Sequence, residues 1–364
     1  MFITPNTIEN IVKQIEETAG TQTALLFIAE HTKIDIENLI LELNQRQITF
    51  AGGIFPRVIY NDTVYEEGIV VNFIDQIHHA FVIKNLDQKE FTIPKIQLAS
   101  DKSYCTFTLV DGLTGNIANY LSELYRTLGT SSIYFGGGAG SLTLEQKPCL
   151  FDNDGFYMNA AISLIYESRV SIGVKHGWEK VDGPLIATKT NNNTIQEINW
   201  RNALEVYKEI VERDCKQEIT VDNFFSIAKA YPFGIVKENS ECIVRDPIST
   251  NEKGELICVG EVLNNTVLDI LRGKNENLIS SATEAAKLTT KNAQNPNTGI
   301  IIDCISRVLF LEENFQLELN TVIEELRSKN NQMEISGALT LGEISSYNGY
   351  LEFFNKTIVI GLFE

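Results

Sequence analysis

Residues 131–140 read SSIYFGGGAG, and this segment decides the fold that the sequence predicts. An apolar run enters three consecutive glycines at 136–138, as a strand does where it bends or packs closely against another backbone. A second strand-like run precedes it at 105–110, and a helical pattern from about 116 to 128 lies between the two. A hairpin pattern with a turn at 152–155 follows. The segment is therefore the middle of a strand–helix–strand–hairpin unit.

The same order of elements occurs twice more. In the first copy the strand, helix, glycine pair, turn and returning strand fall at 23–29, 34–43, 52–53, 61–62 and 69–71. In the third copy they fall at 299–304, 317–326, 337–342, 348–349 and 357–362, with Asn348-Gly349 as the turn. Self-similarity of this kind indicates duplication. We therefore expect an α/β protein with mixed sheets made of duplicated units.

A different pattern separates the second copy from the third. Residues 202–213 predict a helix, and strand-like segments follow at 234–237, 242–245 and 255–259. The sequence thus predicts two closely packed domains, 1–201 and 202–364, with the boundary near Trp200 to Ala203.

Composition excludes several classes of protein. The 364 residues carry a net charge of −18, which repels phosphate backbones and argues against nucleic-acid binding. No apolar stretch approaches the ~20 residues of a membrane-spanning helix, and the N-terminus lacks the pattern of a signal peptide. The six cysteines form no CxxC pair, which favours reduced thiols over a zinc site. We therefore expect a cytoplasmic protein without membrane insertion.

The glycine run is the first candidate site. The GGGAGS segment, Gly136, Gly137, Gly138 and onward to Ser141, lacks the lysine of a phosphate-binding loop. Its bare amides are suited to line a ligand pocket, whereas close packing of strands explains the glycines equally well. Both interpretations stay open.

His176 is the second candidate, in the segment KHGW with Trp178. A histidine beside an aromatic residue at a bend is suited to hold a ligand or to bind haem iron. A single histidine is more often a packed, hydrogen-bonded residue.

The C-terminal part offers the remaining candidates. Arg245 and Arg307 have the planar guanidinium that recognises carboxylates, and Glu343 follows a glycine bend where it can meet an amine. Cys304 stands near Arg307 and would be the nucleophile of a thiol-dependent hydrolase, although a buried cysteine is more often packing. Signatures of glycosidases, α/β-hydrolases and kinases do not occur in the sequence, which lowers the expectation of an enzyme.

Taken in order, these motifs resemble the FIST family, which is built from an N-terminal and a C-terminal FIST domain. The N-terminal part of the resemblance lies in GGIFPRVIYNDTVYEEGIVV (52–71), GGGAGS (136–141) and the segment from KHGW to ALEVY (175–207). The C-terminal part lies in YPFGIV (231–236), IVRDPI (243–248), IDCISRVLF (302–310) and SGALTLGEI (336–344).

The resemblance implies a sensory, ligand-binding protein of bacterial signal transduction, with amino acids among the proposed ligands. One branch looks like haem-containing nitric-oxide sensors that regulate a partner histidine kinase, and His176 keeps that branch open as a metal ligand. Relatives often have FHN before the last strand, where this chain has Phe353-Phe354-Asn355.

We therefore expect a stand-alone sensor rather than an enzyme, signalling to a separate protein such as a histidine kinase. The expected ligand site joins Gly136, Gly137, Gly138 and Ser141 with His176, Trp178, Arg245, Arg307 and Glu343. The alternatives are a haem-based nitric-oxide sensor using His176 and a thiol-dependent hydrolase.

Overall fold

A computed structural model describes residues 1–75, 77–88, 90–237, 241–347 and 349–364. The strands are β1 (Phe2–Ile3), β2 (Thr23–Ala29), β3 (Phe50–Phe55), β4 (Arg57–Tyr60), β5 (Thr63–Tyr65), β6 (Ile69–Ile74), β7 (Ile77–Ile83), β8 (Tyr104–Asp111), β9 (Ser132–Ala139), β10 (Leu150–Asp152), β11 (Gly155–Tyr157), β12 (Ala161–Glu167), β13 (Val170–Lys175), β14 (Glu179–Asn191), β15 (Thr194–Ile198), β16 (Arg201–Asn202), β17 (Phe233–Ile235), β18 (Ile243–Thr250), β19 (Leu256–Val259), β20 (Thr266–Arg272), β21 (Thr298–Cys304), β22 (Glu334–Thr340), β23 (Glu343–Tyr347), β24 (Tyr350–Phe354) and β25 (Ile358–Phe363). The helices are α1 (Ile8–Ala19), α2 (Ile36–Gln45), α3 (Ile117–Leu128), α4 (Ala203–Cys215), α5 (Phe224–Ala228), α6 (Asn275–Asn292), α7 (Ile305–Leu311) and α8 (Phe315–Arg327).

The helices begin where side chains satisfy free backbone amides. The Thr7 hydroxyl accepts a hydrogen bond from the Asn10 amide at 3.3 Å, and Ile11, Ile15 and Ala19 then form the buried face of α1. In the same way the Asn202 side chain accepts from the amides of Leu204 and Glu205 at the start of α4. Among the described residues, no helix combines the length and apolar character needed to cross a membrane.

The structure confirms the mixed α/β architecture of duplicated units. In each unit two strands pair in parallel around a helical connection, and a later strand pairs antiparallel with the first of them. The parallel pairs are β2–β3, β8–β9 and β21–β22, and the antiparallel partners are β6, β12 and β25. Strands β1, β7 and β13 flank the three sheets on one side. The third turn includes Asn348, which lies outside the described residues.

The hairpins join the units in a ring, an arrangement that the sequence pattern did not predict. Hairpin β4–β5 of the first unit pairs with β22 of the third, and hairpin β23–β24 of the third pairs with β9 of the second. Hairpin β10–β11 of the second unit pairs with β3 of the first. Each unit therefore completes the sheet of a neighbour, and we call this assembly the three-unit core.

The glycine strands β3, β9 and β22 meet at the centre of the three-unit core. A Cβ added to Gly136 would lie 1.8 Å from the Thr108 carbonyl oxygen, and one added to Gly337 would lie 2.0 Å from that of Ile301. Gly52 is the equivalent position in the first unit, and a Cβ added to it would lie 2.4 Å from the Leu26 carbonyl oxygen. At these positions of the three copies, the structure therefore has no space for a side chain.

Strands β14 to β20 form a separate sheet, the inserted sheet, with α4 and α5 packed in one hydrophobic cluster against it. The chain leaves the third unit after β13 and returns to it at α6. The predicted helix at 202–213 and the three predicted strands that follow it are present with small shifts of their ends. Strands β14 and β15 and helix α6 were not predicted. The domain boundary at 201/202 stays a prediction, and β13 and β14 both pair with strands beyond it.

Candidate functional site

A cavity of about 600 Å³ lies between the second unit and the inserted sheet. One wall is the connection from β8 to α3, residues 112–118, and the opposite wall includes Asn192, Asn193, Arg245 and residues 258–261. Leu144, Ile248 and Phe353 add apolar surface. Ligand sites of α/β proteins commonly lie at the carboxyl ends of parallel strands, which is where β8 ends.

The wall at 112–118 is shaped by Asp111, the last residue of β8. The buried Asp111 carboxylate accepts hydrogen bonds from the Leu113 amide at 3.1 Å, from the Asn159 amide at 2.7 Å and from the Gln146 side chain. Burial raises the pKa of Asp111, and these hydrogen bonds oppose that rise. Gln146 is itself part of the cavity wall, so Asp111 positions both the turn and this side chain.

The equivalent connections of the other two units are closed. In the first unit, the buried Thr32 hydroxyl bridges the amide and carbonyl of Gly68 at 2.9 and 3.2 Å. In the third unit, helix α7 fills the position and buries Arg307. The second unit differs because its connection is a glycine-containing loop with open space above Gly115, where an added Cβ would meet no atom within 4 Å.

The start of α3 presents unused hydrogen-bond donors to the cavity. Asn116 has a positive φ of 62°, and its side chain donates to the carbonyls of Leu86 and Asp87 instead of capping the helix. The Asn116 amide donates to Glu261 at 3.2 Å. In the described part of the chain, no acceptor contacts the amides of Gly115, Ile117 or Ala118, and the buried Thr114 hydroxyl has no hydrogen-bond partner.

Arg245 reaches the cavity from β18 and is only 6% exposed. Its Nε donates to the Glu261 carbonyl at 2.9 Å, and its Nη1 donates to Val244, Phe353 and Asn355 oxygens at 3.0–3.3 Å. All of these acceptors are neutral. Within the described residues no carboxylate lies within 4.0 Å of the guanidinium, and burial lowers the pKa of Arg245.

The predicted site residues do not line one cavity, although Arg307 contacts the His176 carbonyl and Glu343 pairs with Gly137. Arg245 lines the cavity, whereas Gly136, Gly137 and Gly138 are packed against neighbouring atoms in the three-unit core. A Cβ on Gly137 would lie 2.8 Å from the Ile302 side chain, and one on Gly138 would lie 2.8 Å from the Leu341 carbonyl oxygen. Ser141 is buried with its hydroxyl 3.0 Å from that of Thr143. Between the two interpretations of the glycines, the contacts favour close packing.

His176 and Trp178 line a second, smaller groove of about 290 Å³. Burial lowers the pKa of His176, whereas hydrogen bonds with Cys242 and Glu241 raise it to about 9; the Trp178 amide, which donates to Nδ1, favours the neutral ring instead. The imidazole Nδ1 accepts from the Trp178 amide at 2.9 Å, and Nε2 lies 3.0 Å from Glu241 and 3.4 Å from Cys242.

These contacts do not fit haem with His176 as its axial ligand. Both ring nitrogens already have partners, and an axial ligand needs a free nitrogen lone pair. The other side chains of the groove are largely charged, amide or hydroxyl groups, among them Lys175, Glu179, Asn277, Ser281 and Glu284. The groove is therefore too polar for an apolar macrocycle.

Arg307 and Glu343 are fully buried in the third unit. Arg307 forms ion pairs with Glu318 and with Asp303 at 2.5 and 3.3 Å, and it donates to the His176 carbonyl at 2.6 Å. Glu343 accepts from the Thr340 hydroxyl at 3.0 Å and from the Thr357 amide at 3.2 Å. Protein groups thus contact both the guanidinium of Arg307 and the carboxyl group of Glu343.

Cys304 also lies in this buried region. Burial raises the pKa of the Cys304 thiol well above its ordinary value, and the nearby Glu343 raises it further. A nucleophilic cysteine needs the opposite shift, because the thiolate is the reactive form. His176 lies next to Cys242, so it does not serve Cys304 as a base in the way the hydrolase hypothesis requires.

Sequence reasoning missed Thr114, Gly115, Asn116 and Glu261 as wall residues of the cavity. A signal for the first three was present, because residues 111–116 read DGLTGN directly after a buried strand. Turn-forming residues at the carboxyl end of a strand and before a helix are typical of ligand-binding loops. Glu261 gave no such signal, since it approaches from a distant part of the chain.

The three-unit core and the inserted sheet form an α/β protein with a cavity between the second unit and that sheet. Comparison with family models identifies the FIST N domain at residues 22–201 and the FIST C domain at residues 203–346. The chain belongs to the FIST family, as the motifs indicated. FIST domains are small-ligand sensing domains of signalling proteins, and their role is sensory rather than catalytic. A search of curated proteins found no match.

Proposed function

We propose that this protein is a sensor whose small ligand binds in the cavity between the second unit and the inserted sheet. The observation that carries the proposal is the cavity itself, with a volume of about 600 Å³ in the range of small-molecule sites. Its walls combine apolar side chains with a few convergent polar groups. The membership in the FIST family supports a sensory role.

Ligand binding between two bodies of the fold gives the sensor its output. Residues 258–261 line the cavity, and the same segment continues to Leu263, whose side chain is 72% exposed. A ligand that contacts both walls favours the arrangement in which they are close, and the surface near Leu263 then changes with occupancy. A separate signalling protein, such as a histidine kinase, reads this change. The six free cysteines support a reducing compartment such as the cytoplasm.

A cavity-filling variant tests the proposal. Gly115→Trp directs an indole into the open space above Gly115, so we expect the fold to survive and ligand binding to be lost. Thermal unfolding in the presence of a small-molecule library is the measurement. A ligand at about 100 times its Kd stabilises the wild type by about 2.7 kcal/mol and raises its Tm, whereas the variant does not respond.

The matched control is Leu41→Trp, which adds the same side chain at an exposed position of α2. This control responds to ligand like the wild type. A ligand-induced rise in Tm that persists in Gly115→Trp would place binding elsewhere and refute the proposed site. The partner is tested by kinase autophosphorylation with the wild type and with Gly115→Trp, where a ligand effect on the wild type alone is expected.

A further inference from the structure

The guanidinium of Arg245 has no carboxylate within 4.0 Å among the described residues, and Glu352 and Glu261 act on its charge only from farther away. The side chain is 94% shielded from solvent, given its 6% exposure, yet every oxygen that accepts from its Nε and Nη1 belongs to a carbonyl or amide group. A buried charge without an opposite charge is strongly unfavourable, and proteins compensate it with a partner or a ligand. Its Nη2 has no acceptor among the described residues.

The opposite wall supplies donors that also lack acceptors. The Thr114 residue is 8% exposed, and its hydroxyl oxygen is a buried atom without a hydrogen-bond partner. The amides of Gly115, just before α3, and of Ile117 and Ala118, in its first turn, have no acceptor among the described residues, and the helix dipole favours negative charge at this end of α3. Arg245, Thr114 and these amides line the same cavity.

Two acidic residues limit the charge that the cavity accepts. Asp87 and Glu261 are both wall residues, and the Glu261 carboxylate accepts from the Asn116 amide at 3.2 Å. A phosphate group with two negative charges is repelled by these carboxylates more strongly than a group with a single charge. The arrangement favours a carboxylate, which brings one charge and two acceptor oxygens.

We propose that the ligand of this cavity carries a carboxylate, bound by Nη2 of Arg245, the Thr114 hydroxyl and the first amides of α3. The inference rests on the proposed function, since it assigns the ligand class of the same cavity. Charge-assisted hydrogen bonds of this kind are stronger than neutral ones, so the carboxylate supplies both affinity and orientation.

The test uses the full chain and a defined set of probes. Thermal unfolding is followed with lactate, butyrate, benzoate and glutamine, with lactamide, butyramide and benzamide as uncharged counterparts, and with inorganic phosphate. We expect at least one carboxylate to raise the Tm, while its amide and phosphate do not. Absence of a rise with every carboxylate, or an equal rise with the matching amide, overturns the inference.

Two variants assign the binding to the named groups. Thr114→Val replaces an unpartnered hydroxyl by a methyl group, so we expect the unliganded Tm to be unchanged or higher while the affinity for the carboxylate falls about tenfold. Arg245→Gln lowers that affinity by at least about tenfold, and a lower unliganded Tm in this variant does not affect the interpretation of Thr114→Val. Full carboxylate affinity in both variants contradicts the assignment.

The controls separate this inference from the proposed function. Ser280→Ala alters only the groove near His176 and is expected to bind carboxylates like the wild type. If the uncharged amides stabilise the wild type as strongly as the carboxylates but do not stabilise Gly115→Trp, the cavity is the ligand site and the carboxylate assignment is wrong. If a carboxylate still stabilises Gly115→Trp, the proposed site itself is wrong.

Discussion

Glu343 is a buried acid whose ionisation the surrounding protein opposes. Burial raises its pKa to about 8, although hydrogen bonds with Thr340, Cys304 and Thr357 oppose the shift. In the native protein it therefore retains its proton at pH values where the unfolded chain has lost it. Its backbone pairs with Gly137 in the three-unit core, and the residue is fully buried there.

This shift predicts a pH dependence of stability. The native state binds more protons than the unfolded state between about pH 4.5 and about pH 8, so the contribution of Glu343 is fully present below that window and is lost as the pH rises through it. The loss amounts to at most about 1.4 kcal/mol of unfolding free energy per pH unit. Urea unfolding of the wild type and of Glu343→Gln across this window measures it.

Glu343→Gln keeps the shape of the protonated acid and removes its titration. We expect the variant to be the more stable protein toward about pH 8 and to have the flatter profile. Thr340→Val, which removes the hydroxyl that contacts Glu343 but keeps the acid, serves as the control and retains the pH dependence. Parallel profiles for the wild type and Glu343→Gln would show that Glu343 is ionised in the native protein.

At the scale of single residues, sequence reasoning found Arg245 and missed its surroundings. Arginine in a strand followed by aspartate and proline is a recognisable candidate for binding an anion. Its neighbours Glu261 and Phe353 come from other segments, and no local pattern relates them to Arg245. His176 and Arg307 carried equally strong local signals, yet their polar atoms contact other protein groups.

At the scale of elements, Arg307 connects three helices and the start of the inserted sheet. From α7 it contacts Glu318 on α8, the Leu278 carbonyl on α6 and the His176 carbonyl before β14. The pKa of Arg307 is raised because Glu318 and Asp303 outweigh burial, which lowers it. The packing of α6, α7 and α8 against one another and against the segment before β14 therefore depends on the ion-paired side chain of Arg307.

Removal of that side chain is predicted to destabilise the protein. Arg307→Met leaves Glu318 buried without its partner, and breaking a buried ion pair in this way costs about 3–5 kcal/mol. The double variant Arg307→Met/Glu318→Leu removes the shorter of the two ion pairs completely, leaves Asp303 in place and recovers part of the loss. Chemical denaturation of both single variants and of the double variant measures the coupling between Arg307 and Glu318. A loss of unfolding free energy in the double variant equal to the sum of the two single losses would contradict it.

The helices show why the sequence predicted the elements of the three units but missed α6. Strand and helix periodicities lie within short stretches, so the three units were visible from apolar spacing alone. Helix α6 was missed because its buried face consists of alanine and threonine around Leu278, which gives a weak apolar pattern. These small residues suit its close packing on β13: a Cβ on Gly173 would lie 2.0 Å from the Ala285 carbonyl oxygen.

At the scale of the whole molecule, the ring of exchanged hairpins makes the units interdependent. Within residues 1–201, hairpin β4–β5 lacks its partner β22, and β9 lacks β23. Strands β13 and β14 likewise lose β25 and β20. Such a fragment exposes unpaired strand edges and the apolar faces beside them, which promotes aggregation.

We predict that residues 1–201 do not fold alone although they contain the whole FIST N match. The expected result is a fragment without a cooperative thermal transition, measured by circular dichroism and calorimetry. Co-expression with residues 202–364 is the control, and it is expected to restore a complex with native-like melting. A soluble fragment that melts cooperatively by itself would refute the interdependence.

The sequence by itself determined the α/β class, the three duplicated units, the positions of the glycine strands and the family. These properties follow from local spacing, turn chemistry and motif order, which lie within short segments of the chain. Only the tertiary structure decided the exchange of hairpins, the insertion of a sheet into the third unit and the cavity at the β8–α3 connection. Those depend on contacts such as Arg245 with Phe353, between residues more than a hundred positions apart. Local periodicity carries no information about such partners, because many partners satisfy the same apolar or charged pattern.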